Sequence, residues 1–209
     1  MTTADDRMIN HWWWRPGWSI GRAFYTWHVT FDEGSAIPKL ADRYRPTLQQ
    51  FPGLDVLRTD QLHLTMQGLG FVGEVPEADV AAIVEATRPE LAALPPRVAE
   101  AGPAYADSET VQVAIHPADE VAEVRAALRR GIAAVWGADN VPEDADSFRP
   151  HVTFAYSNSD NDRFEIAGAL DRIGPLTTKA TVGRLSLIRL HRDNQAYEWT
   201  EIAEVKVGR

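Results

Sequence analysis

Polar and apolar residues alternate in several short segments of the chain, and this pattern predicts β-strands because successive side chains of a strand point to opposite faces. In Phe24–Phe31 the polar positions Thr26, His28 and Thr30 share one face, opposite aromatic and branched residues. The other segments with a strand-like pattern are Leu62–Gln67, Arg97–Tyr105, Thr110–His116, His151–Tyr156, Thr181–His191 and Tyr197–Val207.

Helical segments separate these strands. Glu77–Leu94 is rich in alanine and lies between prolines, which mark helix ends. Ala118–Trp136 is followed by a glycine, a residue that commonly ends a helix. Shorter helices are predicted at Ala41–Phe51 and within the polar region Ser157–Arg172. The mixture of strands and helices predicts an α+β fold.

The order of elements repeats in the two halves of the chain. His63 lies 35 residues after His28, and His151 lies 35 residues after His116, so a strand, a helix and a second strand recur with the same spacing. Such a repeat predicts two pseudo-symmetric lobes, each with an antiparallel sheet and helices, packed around a central groove.

By sequence order, the lobes of this single domain are residues 22–105 and 106–209, preceded by an extension of residues 1–21. Within the extension, the run His11–Trp18 reads HWWWRPGW and contains four tryptophans. Side chains this apolar do not remain in water at low cost, so we expect the extension to pack onto the domain or onto a ligand base, and a cover for the domain is the commoner use of such a segment.

Composition narrows the possible functions. A net charge of −9 and an isoelectric point near 5.1 argue against an extended nucleic-acid surface, because backbone binding requires clustered Lys and Arg. The absence of cysteine excludes disulfides, thiolate nucleophiles and Cys-ligated zinc. The start of the chain resembles neither a secretion signal nor a membrane span, so a cytoplasmic location is expected. We also expect a monomer.

Two of the predicted strands carry the same motif, a histidine followed two positions later by a threonine. His63 and Thr65 share one face of their strand together with Gln67, and His151 and Thr153 share one face of theirs. If the two lobes pack around a pseudo-twofold axis, both imidazoles and both hydroxyls reach one groove.

These side chains suit the cleavage of a phosphodiester. The reaction needs a base to deprotonate the nucleophile and an acid to protonate the leaving oxygen, on opposite sides of phosphorus. Because histidine has an ordinary pKa near 6.5, one ring can be neutral and the other protonated around neutral pH. We predict that His63 and His151 form this pair, and that the hydroxyls of Thr65 and Thr153 donate to the non-bridging oxygens.

The segments HLTMQGLG (His63–Gly70) and HVTFAY (His151–Tyr156) resemble the paired H-x-T motifs of the 2H phosphoesterase superfamily, in particular its bacterial 2′-5′ RNA ligase and cyclic phosphodiesterase branch. The resemblance extends over about residues 22–207. It implies a bilobal fold and the opening of 2′,3′-cyclic phosphates to 2′-phosphates, or reversible 2′-5′ linkage chemistry, without a required metal. Two positions depart from the family pattern: Gly68 replaces a bulky apolar residue, and Tyr156 replaces a basic one.

Two further residues are candidates for the substrate groove. His28 begins a third H-x-T, but the Leu-Gly pair that follows the first motif is missing there, so we do not assign it a primary catalytic role. Tyr156 offers an aromatic face on which a base can stack.

Two other functions remain open from the sequence. A noncatalytic nucleotide-binding module would keep the same groove, and a metallohydrolase would use His28, His63, His116 and His151 as ligands. The leading hypothesis expects no metal and no cofactor, and a small nucleotide or short RNA as the partner.

Overall fold

The computed structural model describes residues 6–208, and the elements within them include eleven strands and four α-helices. The strands are β1 (Arg7–Met8), β2 (Phe24–Thr30), β3 (Leu54–Val56), β4 (His63–Phe71), β5 (Arg97–Ala106), β6 (Thr110–His116), β7 (His151–Ser157), β8 (Asn161–Asp162), β9 (Thr178–Val182), β10 (Arg184–His191) and β11 (Glu198–Lys206). The helices are α1 (Ala36–Leu48), α2 (Glu77–Ala92), α3 (Ala118–Trp136) and α4 (Arg163–Ile173). No helix in this part of the chain is long and apolar enough to cross a membrane.

The strands form two main antiparallel sheets. The first has the strand order β11-β10-β2-β4, the second has the order β3-β7-β6-β5-β9, and β1 pairs separately with β8. This arrangement agrees with the predicted α+β fold of two lobes.

The division of the lobes between residues 105 and 106 is wrong. β3 and β5 come from the first half of the chain but belong to the second sheet, while β10 and β11 come from the second half and complete the first sheet. Antiparallel pairing joins segments that are far apart in sequence, so element order alone does not show which sheet a strand enters.

Several elements have bounds that differ from those predicted. α1 begins at Ala36 rather than Ala41, because Ser35 has an extended backbone and Pro38 lies in the first turn, where its missing N–H is not needed. The predicted strand Thr181–His191 is two strands, β9 and β10, which separate at Gly183 and enter different sheets.

A bulge in β4 changes which side chains share a face. Thr65 pairs with His28 and Gly68 pairs with Thr26, so the β4 segment between these pairs has one residue more than the β2 segment. This is the two-against-one arrangement of a β-bulge, with Met66 as the additional residue. Gly68 therefore returns to the face that carries Thr65.

Gln67 points away from that face. Its side-chain nitrogen donates to the Pro142 carbonyl at 2.8 Å, and its side-chain oxygen accepts from Arg129 at 3.1 Å. The expectation that Gln67 shares a face with His63 and Thr65 is wrong, because the bulge inverts the alternation before Gln67 is reached.

The buried Arg125 of α3 ties β4 to the loop that precedes β7. Its guanidinium donates to the Met66 carbonyl at 2.8 Å and to the carbonyls of Asp144 and Ala145 at 3.1 Å each. Because this loop continues into His151, the guanidinium connects the strand of the first H-x-T motif to the chain before the second.

We expect the substitution Arg125→Met to lower the free energy of unfolding by about 3 kcal/mol, because the buried Met66 carbonyl and the partly buried carbonyls of Asp144 and Ala145 lose a charged donor. Urea denaturation at pH 7 measures the change. The matched control is Arg130→Met in the same helix, whose ion pair with Glu90 lies at the surface and should contribute less than about 1 kcal/mol. Equal losses in the two variants would contradict the special role of Arg125.

Candidate active site

A cavity of about 510 Å³ between the two sheets contains both predicted motifs. His63 and Thr65 reach it from β4 of the first sheet, and His151 and Thr153 reach it from β7 of the second. The structure thus brings the four predicted side chains to one groove.

His63 and His151 are anchored in the same way. Nδ1 of His63 lies 2.7 Å from the Gln61 carbonyl oxygen, and Nδ1 of His151 lies 2.8 Å from the Arg149 carbonyl oxygen. A carbonyl oxygen only accepts, so each Nδ1 carries a proton and donates it. In the neutral ring, Nε2 is then unprotonated and available for proton transfer.

His63 is neutral at neutral pH. The pKa of His63 is lowered from 6.5 to about 4, mainly by burial; the hydrogen bond to the Gln61 carbonyl opposes this shift, and the charge of His151 adds to it. Nε2 of His63 can therefore accept a proton.

His28 packs against the first motif from the neighbouring strand. Its ring stacks on His63 with the centroids 4.4 Å apart and the planes 4° from parallel, and its Nε2 lies 3.3 Å from Thr65 Oγ1. Burial, reinforced by the charge of His63, lowers the pKa of His28 well below 6.5. His28 lines the groove, as predicted, but its polar contact within the described chain is with Thr65.

The tautomer of His28 sets the direction of the Thr65 hydroxyl. Nδ1 of His28 is buried without a partner among residues 6–208. An unpaired buried N–H is rarer than an unpaired acceptor, so the proton is favoured on Nε2, which donates to Thr65. Thr65 then keeps its own O–H free to donate into the groove.

Tyr156 lines the groove with one ring face covered. The ring of His11, from the N-terminal extension, stacks on it at a centroid distance of 4.1 Å. His11 is held there by Glu109 Oε2, 2.9 Å from its Nδ1, and by the Tyr197 hydroxyl, 3.0 Å from its Nε2. The face on which we expected a base to stack is therefore partly occupied by the protein itself.

The Trp-rich extension packs onto the domain in part, as expected, but Trp13 and Trp14 stay 48% and 46% exposed. Met8 and Trp12 are buried, and the Trp12 indole N–H donates to Asp55 Oδ2 at 2.7 Å. The buried guanidinium of Arg192 donates to the His11 carbonyl at 2.8 Å. Residues 1–5 of the predicted extension lie outside the described residues.

The four histidines considered as metal ligands do not assemble. His116 lies at the exposed end of β6, opposite Glu100 of β5, and does not line the groove. Within residues 6–208, no group of three or more His, Asp or Glu side chains could hold a metal ion.

Several groove residues were not identified from the sequence. Arg15 belongs to the extension, and Glu143 and Arg149 belong to the irregular loop before β7. Irregular segments have no periodicity that would indicate a direction for their side chains. The one available signal was the position of Arg149, two residues before the second motif.

Comparison with known proteins places the chain in a family. The sequence-family model of the 2′-5′ RNA ligase superfamily matches residues 33–194. The crystal structure of TT0787 of Thermus thermophilus is 20% identical, with 89% of this chain and 99% of that chain covered and a TM-score of 0.69. E. coli LigT complexed with 3′-AMP is 13% identical, with 90% of this chain and 99% of that chain covered and a TM-score of 0.62. The MHV ns2 PDE domain is 12% identical, with 81% of this chain and 99% of that chain covered and a TM-score of 0.54. No protein with a curated description matches the chain.

Two antiparallel sheets around a groove, with one H-x-T strand from each, define a 2H phosphoesterase-like fold. The chain belongs to the 2′-5′ RNA ligase superfamily. The resemblance and the bilobal α+β fold predicted from the sequence are confirmed. Membership of this superfamily supports a phosphodiesterase or ligase activity.

Proposed function

We propose that this protein is a metal-independent phosphodiesterase that opens the 2′,3′-cyclic phosphates of nucleotides or RNA ends to 2′-phosphates, with 2′-5′ RNA ligation as the related activity. The observation that carries the proposal is the pair of imidazoles in one groove, each anchored through Nδ1 to the carbonyl two residues before it. The net charge of −9 favours a small nucleotide or a short RNA as the substrate.

In the proposed reaction, His63 acts as the base and His151 as the acid. Nε2 of the neutral His63 removes a proton from water, whose oxygen attacks phosphorus, while Nε2 of a protonated His151 gives its proton to O3′ as the P–O3′ bond breaks. The product is a 2′-phosphate with a free 3′-hydroxyl. In 2′-5′ ligation a 5′-hydroxyl takes the place of water and O3′ is still the leaving group, so the two histidines keep their roles. In the reverse cleavage of a 2′-5′ linkage, O3′ attacks phosphorus and O5′ leaves, so the two histidines exchange roles.

Thr65 and Thr153 would hold the non-bridging oxygens. The Thr65 hydroxyl has its hydrogen free because His28 donates to its oxygen. Donors that are already oriented before the reaction stabilise the charge that develops on the phosphoryl oxygens without a cost of reorganisation.

The experiment that tests the proposal incubates the purified protein with a nucleoside 2′,3′-cyclic phosphate in the presence of EDTA. We expect turnover to the 2′-phosphate rather than the 3′-phosphate, identified by phosphorus NMR. Turnover that stops on chelation and returns with zinc would instead support a metallohydrolase. Binding of a nucleoside 2′-phosphate without turnover of any cyclic substrate would support a noncatalytic module.

A further inference from the structure

A carboxylate and an aromatic ring meet beside Gly68. A Cβ atom at Gly68 would lie 2.6 Å from Glu143 Oε1 and 2.9 Å from the ring of Phe24. A side chain at this position would displace the carboxylate or the ring, so glycine lets both groups lie against β4. Many members of the family carry a bulky apolar residue at this position. Here glycine leaves that space open, and the acidic side chain of Glu143 occupies it.

The Glu143 carboxylate is fixed at the groove. Its Oε1 accepts from the Gly68 N–H at 3.2 Å, and its Oε2 accepts from Arg125 at 3.2 Å. The backbone of Glu143 is left-handed, with φ of 60°, a conformation that costs on the order of 1–3 kcal/mol in a residue of this type. The side chain is still 45% exposed and lines the groove. Each oxygen retains a lone pair, so the carboxylate can accept two donors from a ligand.

Aromatic rings form the wall next to this carboxylate. Trp18 and Phe24 line the groove with their ring centroids 5.8 Å apart. Phe71 packs edge-to-face against both rings, with its centroid 5.2 Å from that of Trp18 and 5.0 Å from that of Phe24. An apolar aromatic wall beside a hydrogen-bonding group is what a nucleobase requires, because its faces stack and its edge carries donors and acceptors.

We propose that Trp18, Phe24 and Glu143 form a nucleobase subsite that prefers guanine. This inference rests on the proposed function, because it describes the substrate of the same groove. Guanine carries two adjacent donors, N1–H and the 2-amino group, which match the two oxygens of a carboxylate. Uracil has one N–H between two carbonyl oxygens, which a carboxylate repels, and adenine has one amino group beside an acceptor nitrogen.

The position of the subsite fits a single nucleotide. Thr65 pairs with His28 and Gly68 pairs with Thr26, so the two positions are separated by two residues of β2, or roughly 7 Å. A phosphate at the threonine hydroxyls would place the ribose near Thr26 and the base at Trp18. The subsite therefore lies one ribose away from the proposed reaction centre.

The test begins with the wild-type protein and varies the substrate. We would measure kcat/KM for the 2′,3′-cyclic phosphates of guanosine, inosine, adenosine and uridine. Guanosine should exceed uridine by at least about 10-fold, because two hydrogen bonds to a charged group are lost. Inosine lacks only the 2-amino group, and its value should lie about 5-fold below that of guanosine.

Variants then assign the preference to residues. Glu143→Gln should lower the value for guanosine by about 10-fold, leave uridine within about twofold, and abolish the difference between guanosine and inosine. Trp18→Ala should lower the values for all four substrates by a similar factor of about 5- to 100-fold, because stacking does not distinguish the bases. The control is Glu165→Gln, at an exposed residue of α4 outside the groove. It should change neither kcat/KM for the guanosine substrate nor the preference for guanosine over uridine and inosine.

The outcomes separate the subsite from the proposed function. If the wild type hydrolyses none of the four substrates, the proposed function fails, and calorimetric binding of guanosine and uridine 2′-phosphates to the wild type and to Glu143→Gln decides the subsite alone. Equal affinities for the two ligands, or a guanosine preference that survives Glu143→Gln at an unchanged melting temperature, would overturn it. If Glu143→Gln melts lower, the wild-type inosine comparison decides, and equal values for guanosine and inosine reject the proposal.

Discussion

Replacing His63 with asparagine is expected to lower kcat/KM for a 2′,3′-cyclic nucleotide by roughly 10²–10⁴-fold, the size of a general acid–base contribution. Asparagine can still donate to the Gln61 carbonyl from a nitrogen near the position of Nδ1, but it has no group that accepts a proton near neutral pH. The same change at His151 should cause a loss in the same range, with the bond to the Arg149 carbonyl preserved. Because both losses arise in the chemical step, they should appear mainly in kcat.

Initial rates in EDTA, measured with each purified variant, test this expectation. His116→Asn removes an exposed histidine outside the groove and should leave the rate unchanged. If the two rings act on one transition state, the double variant should lose little more activity than the less active of the two single variants. The reason is that the effects of residues that act as a unit do not add. Wild-type turnover in either single variant, with an unchanged melting temperature, would contradict the assignment.

The motifs of this site are predictable from the sequence because their information is local. In a strand, positions two apart share a face, so the alternation alone pairs His63 with Thr65 and His151 with Thr153. The duplicated spacing of the histidines then points to a shared groove. What the pattern cannot show is which sheet each strand joins. β10 enters the first sheet by pairing with β2, a segment far away in sequence, and β11 follows by pairing with β10.

The parts of the groove that strand periodicity could not predict are those where the backbone is irregular. The bulge at Met66 turns Gln67 away and brings Gly68 to the groove, and a pattern of alternation continues through such an insertion without a sign of it. Glu143 lies in a loop with a left-handed backbone, and His11 reaches Tyr156 only because the extension folds back over β7. Such positions depend on tertiary packing rather than on local sequence.

Mild acid is expected to destabilise the fold strongly, because three buried histidines are neutral in the folded chain. Burial lowers the pKa of His11 to about 3 and that of His63 to about 4, and it lowers the pKa of His28 well below 6.5. The positive charges of Arg15 and Arg192 act on His11 in the same direction.

Glu109 does not hold His11 in its charged form. The carboxylate oxygen that lies 2.9 Å from His11 Nδ1 also accepts from Arg15, so a guanidinium already balances its charge. A neutral His11 satisfies both of its neighbours, because Nδ1–H donates to Glu109 and Nε2 accepts from the Tyr197 hydroxyl.

The sign of the effect follows from proton uptake. In the unfolded chain each ring binds a proton near pH 6.5, while the folded rings remain neutral to lower pH. The unfolded state therefore binds more protons as the pH falls, and the free energy of unfolding decreases by up to about 1.4 kcal/mol per pH unit for each ring. Between pH 6.5 and pH 5, three such rings together account for a loss of up to about 5 kcal/mol, a large share of a typical domain stability.

Urea denaturation at pH 6.5 and pH 5 measures this loss. His28→Phe keeps an aromatic ring against His63 but cannot bind a proton, so its loss over the same interval should be smaller than that of the wild type, by at most about 1.6 kcal/mol. For each protein we compare the free energy of unfolding at pH 6.5 with that at pH 5. A change in stability that the substitution causes equally at both pH values cancels in this difference. His116→Asn, at the exposed end of β6, should keep the wild-type difference. A wild-type free energy of unfolding that stays constant over this interval would mean that the three rings bind protons in the folded chain, and that His63 is not the neutral base that the proposed reaction needs.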